Sequence, residues 1–275
     1  MLLQDAIERF LERKWRISNQ EGNSAEQCMQ ALGHYLLYFS DLYHDQDDTE
    51  FNFNDEKEDA AEWEQELEEV FREKMDDEET PSWSLGGLDS TNLEASHLRE
   101  FIGWYLPRMS CENEMMQDFC REVEDLCKDF HQQNVIDQHL YQDFISTIME
   151  MKPEAMRVIK ASQLLLHFVR WGSNLSRQDQ ALPISQFVEG HARLKRIQGQ
   201  KLWWSFDDEE KQIGPVIVDQ FIVDLLYAGD VLNVQLAQRG EQWQMVDIGP
   251  LYPRSIYVEA ESYDDEEDEA INPMN

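Results

Sequence analysis

Residues 172–183 read GSNLSRQDQALP, and this polar stretch without periodicity separates two parts of the chain that have different hydrophobic patterns. Before it, apolar residues recur every three to four positions, which is typical of amphipathic helices. After it, short apolar or alternating runs are separated by turn residues, which is typical of strands. The pattern predicts an α+β protein. An N-terminal all-helical domain of about seven helices (residues 1–171) and a linker (residues 172–183) precede a small antiparallel β-barrel, SH3-like or OB-like.

The helical domain is predicted from apolar stripes and from residues that start or stop helices. Ser24 and Gln27 have the spacing of a capping box, so a helix is expected to begin there. Pro107 is expected to end a helix, because the residue before a proline is biased away from helical geometry. Pro153 is suited to the first turn of a last helix, which would run to Trp171.

Six short runs after residue 183 predict strands, with turn signals such as Gly229-Asp230 and Arg239-Gly240 between them. These runs are residues 187–197, 202–206, 216–218, 231–236, 243–248 and 255–258. Residues 219–227 fit a strand and a short helix equally well. The barrel is therefore assigned to residues 184–259, and the acidic residues 260–275 are assigned to a disordered tail.

Negative charge is concentrated in particular segments of the chain. Residues 45–79, the acidic segment, carry eighteen Asp or Glu and three basic residues, close to half of the net charge of −34. Residues 259–269 add eight carboxylates and no base, whereas residues 151–258 balance twelve acids with twelve bases. Such fields attract basic surfaces and repel nucleic acid and anionic membranes over about 8 Å at physiological salt. The charge predicts a basic protein partner, no membrane, and disfavoured direct nucleic-acid binding.

The motifs of common enzyme classes do not occur in the sequence. It contains no G-x-S-x-G, no H-E-x-x-H, no Walker loop and no G-x-G-x-x-G. Glu94-x-x-His97 has the spacing of half a di-iron site, but helix capping also explains it, and a second copy is missing. Cys127 and His131, with Cys120 two turns earlier, could bring three donors to one helix face, but no fourth ligand follows at zinc-like spacing. We expect no cofactor, no metal and no enzymatic activity. An enzyme with an unrecognised active site in the helical domain remains an alternative.

A cytoplasmic location is expected from two observations. No apolar run approaches the roughly 18 residues of a membrane span. The first residues, MLLQDAIERFLERKW, include Asp5 and Glu8 and lack a small-residue cleavage site, so they are typical of an amphipathic helix. The sequence does not indicate the oligomeric state.

The acidic segment is the predicted partner-binding site, with seven carboxylates and three aromatic anchors: Asp55, Glu58, Asp59, Glu62, Glu66, Glu69, Glu73, Phe51, Phe53 and Trp63. Like charges at i, i+4 repel each other and reduce helix stability, so this density is unusual for a simple solvated helix. Large apolar side chains among the carboxylates are also unnecessary in a solubilising spacer. We therefore expect an adaptor or inhibitor that docks on a basic surface. Nucleic-acid mimicry is its narrower form, because the carboxylates would imitate duplex phosphates.

Single-stranded nucleic-acid binding through the barrel is the alternative. Arg193, Lys195 and Lys201 can share one exposed strand face, and Trp204 would stack on a base. The acidic segment would then compete for this face in cis. A solvated strand face with one tryptophan in the core explains the same residues.

Overall fold

The computed structural model describes residues 1–40, 42, 85, 87–109, 113–171, 182–206 and 211–262. Within these ranges helices come first and a β-sheet follows, so the predicted α+β order is confirmed. The helices before the sheet are α1 (Leu3–Ile17), α2 (Asn19–Tyr38), α3 (Ala95–Glu100), α4 (Asn113–Gln132) and α5 (Gln138–Trp171). Of the helices in these ranges, none combines the length and the apolar character needed to cross a bilayer.

The start of α2 differs from the prediction. The helix begins at Asn19, and Ser18 is its N-cap, because the Ser18 hydroxyl accepts a hydrogen bond from the backbone N–H of Glu21 at 3.2 Å. Ser24 lies inside the helix, so the predicted start at Ser24 is wrong. A Cβ on Gly22 would lie 2.3 Å from the ring of Trp15, which shows how closely α1 and α2 approach each other at this corner.

The two prolines do not delimit helices as expected. A π-helical turn, Phe101–Tyr105, continues α3, and a last helical stretch, Leu106–Arg108, contains Pro107. In a regular α-helix the ring of Pro107 would clash with the carbonyl group four residues earlier, at Gly103. Gly103 lies in the π-helical turn, where the helical register is shifted. Pro153 lies inside α5, which runs unbroken over 34 residues.

Five strands close into a ring. They are β1 (Ile184–Gln198), β2 (Lys201–Ser205), β3 (Ile213–Ile217), β4 (Val231–Arg239) and β5 (Gln242–Tyr252). Their order is β2-β3-β5-β4-β1, and β1 also pairs with β2. The pairing of β3 with β5 is parallel, and the other pairings are antiparallel. A short helix, α6 (Gln220–Val223), lies between β3 and β4, which settles the ambiguity at residues 219–227.

A sixth strand, β6 (Glu261–Ser262), pairs antiparallel with Gly190 and His191 of β1. It lies in the stretch that the sequence assigns to the tail. Residues 255–258, predicted as a strand, form none. Their apolar side chains pack against the helical core: Ile256 and Val258 are both nearly buried.

Two apolar clusters form the core, and α5 contributes to both. The first cluster joins the helices to four residues from the sheet half of the chain: Val231, Tyr252, Ile256 and Val258. The second fills the ring of strands and includes four residues from the C-terminal half of α5: Val158, Ala161, Leu165 and Phe168. The polar stretch at residues 172–183 therefore follows a helix that already belongs to the core of the ring.

A buried ion pair fastens α5 to the ring of strands. The Arg157 guanidinium donates to both carboxylate oxygens of Asp230, at 2.7 and 2.9 Å. Asp230 is fully buried and also accepts the backbone N–H groups of Tyr227, at 2.8 Å, and Arg254, at 3.1 Å. The Tyr227 ring lies 4.0 Å from the guanidinium carbon. Burial opposes the charge of Arg157, but the neighbouring carboxylates outweigh it and raise its pKa.

Candidate functional site

The acidic segment lies outside the described residues, and so do all ten predicted partner-binding residues: Asp55, Glu58, Asp59, Glu62, Glu66, Glu69, Glu73, Phe51, Phe53 and Trp63. The residues on either side of it are anchored in the helical domain. Ser40 is 2% exposed, and its hydroxyl donates to the carbonyl of Leu36 at 2.7 Å. Leu85 is fully buried, and its backbone N–H donates to the side-chain carbonyl of Gln4 at 3.2 Å. Both flanks of the acidic segment are thus held by the helical core.

An aromatic cluster holds the end of α2, immediately before the acidic segment. The Phe39 ring lies 5.5 Å from that of Trp104 and 5.7 Å from that of Tyr105. The Tyr105 hydroxyl and His34 Nδ1 share a hydrogen bond of 3.0 Å. Trp104 and Tyr105 belong to the π-helical turn, a feature frequent at functional sites. Contacts between aromatic rings of this kind stabilise by about 0.5–1.5 kcal/mol each beyond their buried area.

Many carboxylates of the described helices are already neutralised inside the protein. Lys14, 7% exposed, lies 2.9 Å from the carboxylate of Glu122 and 2.8 Å from that of Asp125. Burial opposes the charge of Lys14, but hydrogen bonds to these two carboxylates outweigh it and raise its pKa. Burial likewise opposes ionisation of Asp125, yet the Lys14 ammonium lowers its pKa. Arg13 pairs with Asp129 in the same region. These acids stabilise the contact between α1 and α4 and are not available to a partner.

The structure describes all four residues of the predicted nucleic-acid face. Trp204 is fully buried in the core of the ring, so it presents no ring face to a base. The Arg193 guanidinium donates to the carbonyl of Val258 at 2.8 Å and is half-buried. Lys195 is half-buried at a register shift between β1 and β2, whereas Lys201 is exposed.

Trp203 is the aromatic residue on the outer face of β2 that the sequence prediction missed. It is half-buried, and the guanidinium carbon of Arg196 lies 3.7 Å from its ring. Strand alternation is the signal that identifies it: Leu202 and Trp204 point into the core, so Trp203 lies on the side of Lys201. The exposed Arg196 and Lys201 and the half-buried Trp203 thus form a cationic and aromatic set where the end of β1 pairs with the start of β2.

A shallow cleft of about 230 Å³ lies where the end of α5 faces β3 and β5. Phe168, Pro215 and Trp243 contribute its apolar walls, and Lys201 and Glu241 are its charged lining residues. None of the residues that line the cleft is Ser, Thr, Cys or His, so it offers no hydroxyl or thiol nucleophile and no imidazole base.

The described residues contain no group of three or more His, Cys, Asp or Glu side chains with metal-binding geometry. Three of the four cysteines, Cys28, Cys120 and Cys127, are buried thiols, and Cys111 lies outside the described residues. Burial raises the pKa of the Cys127 thiol, which suppresses the reactive thiolate. Glu94 and His97 form the start of α3: the Glu94 backbone N–H donates to His97 Nδ1 at 2.9 Å.

The comparisons with known proteins complete the description of the site. No family model matches the chain, and no curated protein or solved structure matches it either.

Proposed function

We propose that the chain is a cytoplasmic, non-enzymatic adaptor or inhibitor whose acidic segment docks on a basic surface of a nucleic-acid-binding protein. The distribution of charge is the observation that carries this proposal. The described residues of the sheet half, 182–206 and 211–262, hold eight acids and seven bases, so they are close to neutral. The acidic segment has eighteen acids and three bases between two anchored flanks.

Electrostatic attraction would set the association rate and the register of the complex, because charged surfaces steer encounters more than they add net affinity. Phe51, Phe53 and Trp63 would supply the apolar anchors, since buried aromatic residues dominate the energetics of most interfaces. Nucleic-acid mimicry is the narrower form of the proposal. Mimicry requires that the acidic segment occupies the groove in which the partner otherwise binds nucleic-acid phosphates. Along a duplex these phosphates provide one negative charge per about 1.7 Å of axis.

Charge-neutralised variants test the proposal. Proteins that co-purify with the tagged chain at low salt are quantified for wild type and for a variant with Glu62, Glu66, Glu69 and Glu73 changed to Gln. The matched control changes Glu8, Glu12, Glu26 and Glu114 to Gln, which alters the net charge equally on α1, α2 and α4. We expect the first variant to lose the partner and the control to keep it. Equal loss in both variants would refute a localised site.

Salt and duplex DNA separate the broad form of the proposal from mimicry. Raising the salt concentration about tenfold from a low-salt buffer should weaken the complex strongly, because the Debye length shortens about threefold. A complex that tolerates this change contradicts electrostatic docking. Duplex DNA should displace the chain from its partner only if the two share one groove.

The strand order supports a second candidate, single-stranded nucleic-acid binding. We propose that the ring is of the OB-like rather than the SH3-like type, because five strands close in the order β1-β2-β3-β5-β4 with α6 between β3 and β4. OB-folds bind oligonucleotides on the face of strands 2 and 3. Here that face would use Arg196, Lys201 and Trp203 in place of the buried Trp204.

Deletion of residues 45–79 distinguishes the two candidates. Under the first, the deletion abolishes partner binding and leaves a fluorescein-labelled oligothymidine unbound. Under the second, the deletion exposes oligothymidine binding, and Trp203→Ala then weakens it, since each stacked base contributes about 1–3 kcal/mol.

A further inference from the structure

The first part of β1 is paired on one side only, within the residues that the structure describes. Residues 184–189, named here the open edge, pair with β4, from Ile184 opposite Arg239 to Glu189 opposite Gln235. On the other side of β1, β6 reaches only Gly190 and His191, and β2 pairs from Arg193 onward. The backbone N–H and C=O groups on the free side of the open edge therefore have no ladder partner in this part of the chain.

Sheet edges are usually protected by lysine, proline, a β-bulge or a covering element. Within the described residues the open edge has one of these features, a register shift between Ile184 and Gln186 in its pairing with β4. None of residues 184–189 is lysine or proline, and their single charge is that of Glu189. Ile184 is 47% exposed and Phe187 is 51% exposed. An added strand would pair with the backbone and cover these apolar side chains, as in other β-augmentation complexes.

β6 shows that this side of β1 accepts an antiparallel strand. Ser262 pairs with Gly190, and Glu261 pairs with His191. Gly190 has φ +139°, and a Cβ there would lie 2.1 Å from the carbonyl oxygen of Glu261, so only glycine allows this approach. A strand continuing along the edge in the same direction would meet Glu189 next and then Phe187.

Charge indicates what kind of strand fits. Glu189 lies on the open edge, Glu259 and Glu261 are exposed beside it, and six further acids follow at residues 264–269. Asp and Glu are poor strand formers and repel each other, which makes the run a weak occupant of the edge. The same run attracts a basic segment towards it.

We propose that the open edge is a strand-addition site for an extended basic segment of a partner protein. The segment places an apolar side chain beside Phe187 and Lys or Arg two residues away, where Glu189 lies on the same face. This surface belongs to the barrel, so it is separate from the acidic segment and does not depend on the function proposed above.

The test is a fluorescence anisotropy titration with a dye-labelled peptide, KTKTITKTK, at low salt. The control peptide carries N-methyl groups at alternate residues, which keep its charge and side chains but remove backbone donors. The variants are Phe187→Lys and the matched Phe221→Lys, because Phe221 is 54% exposed on α6, away from the edge. We expect N-methylation and Phe187→Lys each to weaken binding by about tenfold or more, and Phe221→Lys to leave it unchanged.

Five outcomes overturn the proposal. If both peptides bind equally, charge alone holds them. If Phe187→Lys and Phe221→Lys weaken binding equally, the open edge is not the site. If sedimentation shows that the wild type is a dimer and the Phe187→Lys variant a monomer, a second copy of the chain occupies the open edge. If truncation after Ser262 raises the affinity for the peptide tenfold, the tail occupies it. Peptide binding that survives deletion of residues 45–79 supports the open edge as the site. If the deletion abolishes peptide binding and Phe187→Lys leaves it unchanged, the peptide binds the acidic segment.

Discussion

Replacing Asp230 with alanine should destabilise the whole chain, because Arg157 would keep its charge inside the contact between α5 and the barrel without its main partner. The Arg157 side chain is 9% exposed and that of Asp230 is 0% exposed. Water therefore cannot take the place of the lost carboxylate without rearrangement of the surrounding structure.

The expected loss follows from the contacts. Removing one member of a buried ion pair costs about 3–5 kcal/mol. Glu154, 2.8 Å from Arg157, remains and reduces the loss. The backbone N–H groups of Tyr227 and Arg254 lose their acceptor and increase it. We expect a decrease of about 4 kcal/mol in the free energy of unfolding, and of about 10 °C in the melting temperature.

Urea denaturation followed by circular dichroism measures this change. The matched control is Asp224→Ala: Asp224 is exposed and accepts a hydrogen bond from the Gln220 side chain at 2.9 Å, so a loss within about 0.5 kcal/mol is expected. A double-mutant cycle with Arg157→Ala should give a coupling energy of about 1.5 kcal/mol or more. A loss no larger than that of the control, or strictly additive mutations, would refute the reasoning.

Three further substitutions probe other contacts. Gly190→Ala places a Cβ against the Glu261 carbonyl at a residue with positive φ, so the pairing of β6 with β1 should be lost at a cost of about 1–3 kcal/mol. Faster amide hydrogen exchange at His191 would report this loss, and unchanged exchange would contradict it. Gly103→Ala places a Cβ 2.4 Å from Met151 and 2.6 Å from Ile256, so thermal unfolding should show that the free energy of unfolding falls by about 1–3 kcal/mol. The control is Gly87→Ala, which should show no such decrease because no atom lies within 4 Å of the added Cβ. Burial and the charge of Arg108 lower the pKa of His191 to about 4, while the Glu261 carboxylate, 3.8 Å away, is exposed and does not compensate. The contribution of His191 to stability is then fully present above about pH 6.5 and is lost as the pH falls towards about 4. In urea titrations at about pH 7 and about pH 4.5, His191→Gln should remove about 2 kcal/mol of that fall; an equal fall in wild type and variant would contradict it.

The strands were predictable because alternation is a local signal. Leu202 and Trp204 are buried on one face of β2, as a period of two requires. The same rule places Trp203 outside, so the prediction of Trp204 as a base-stacking residue departed from it. The closing of the ring is different, since β1 must pair with β2 along one part and with β4 along another. No local pattern within β1 specifies both partners.

Helix boundaries were less predictable, because several residues satisfy the same local rule. Ser18 and Ser24 both have side chains suited to an N-cap, and the close approach of Gly22 to Trp15 goes with a start at Ser18. Pro153 is tolerated within α5 because Met151 and Ala155, on either side of it, are fully buried and hold the helix against its neighbours. The charge of the acidic segment, in contrast, is a property of the sequence alone.

The position of α5 has a consequence for dividing the chain. Its C-terminal half supplies Val158, Leu165 and Phe168 to the barrel core, although it precedes the polar stretch at residues 172–183. A cut within that stretch would leave the N-terminal fragment with the apolar end of α5 exposed to solvent. The C-terminal fragment would lack the α5 side chains that complete the core of the sheet. Neither half would be an independent module, and the two fragments, made together, would be a natural split pair whose reassembly reports on the contact between them.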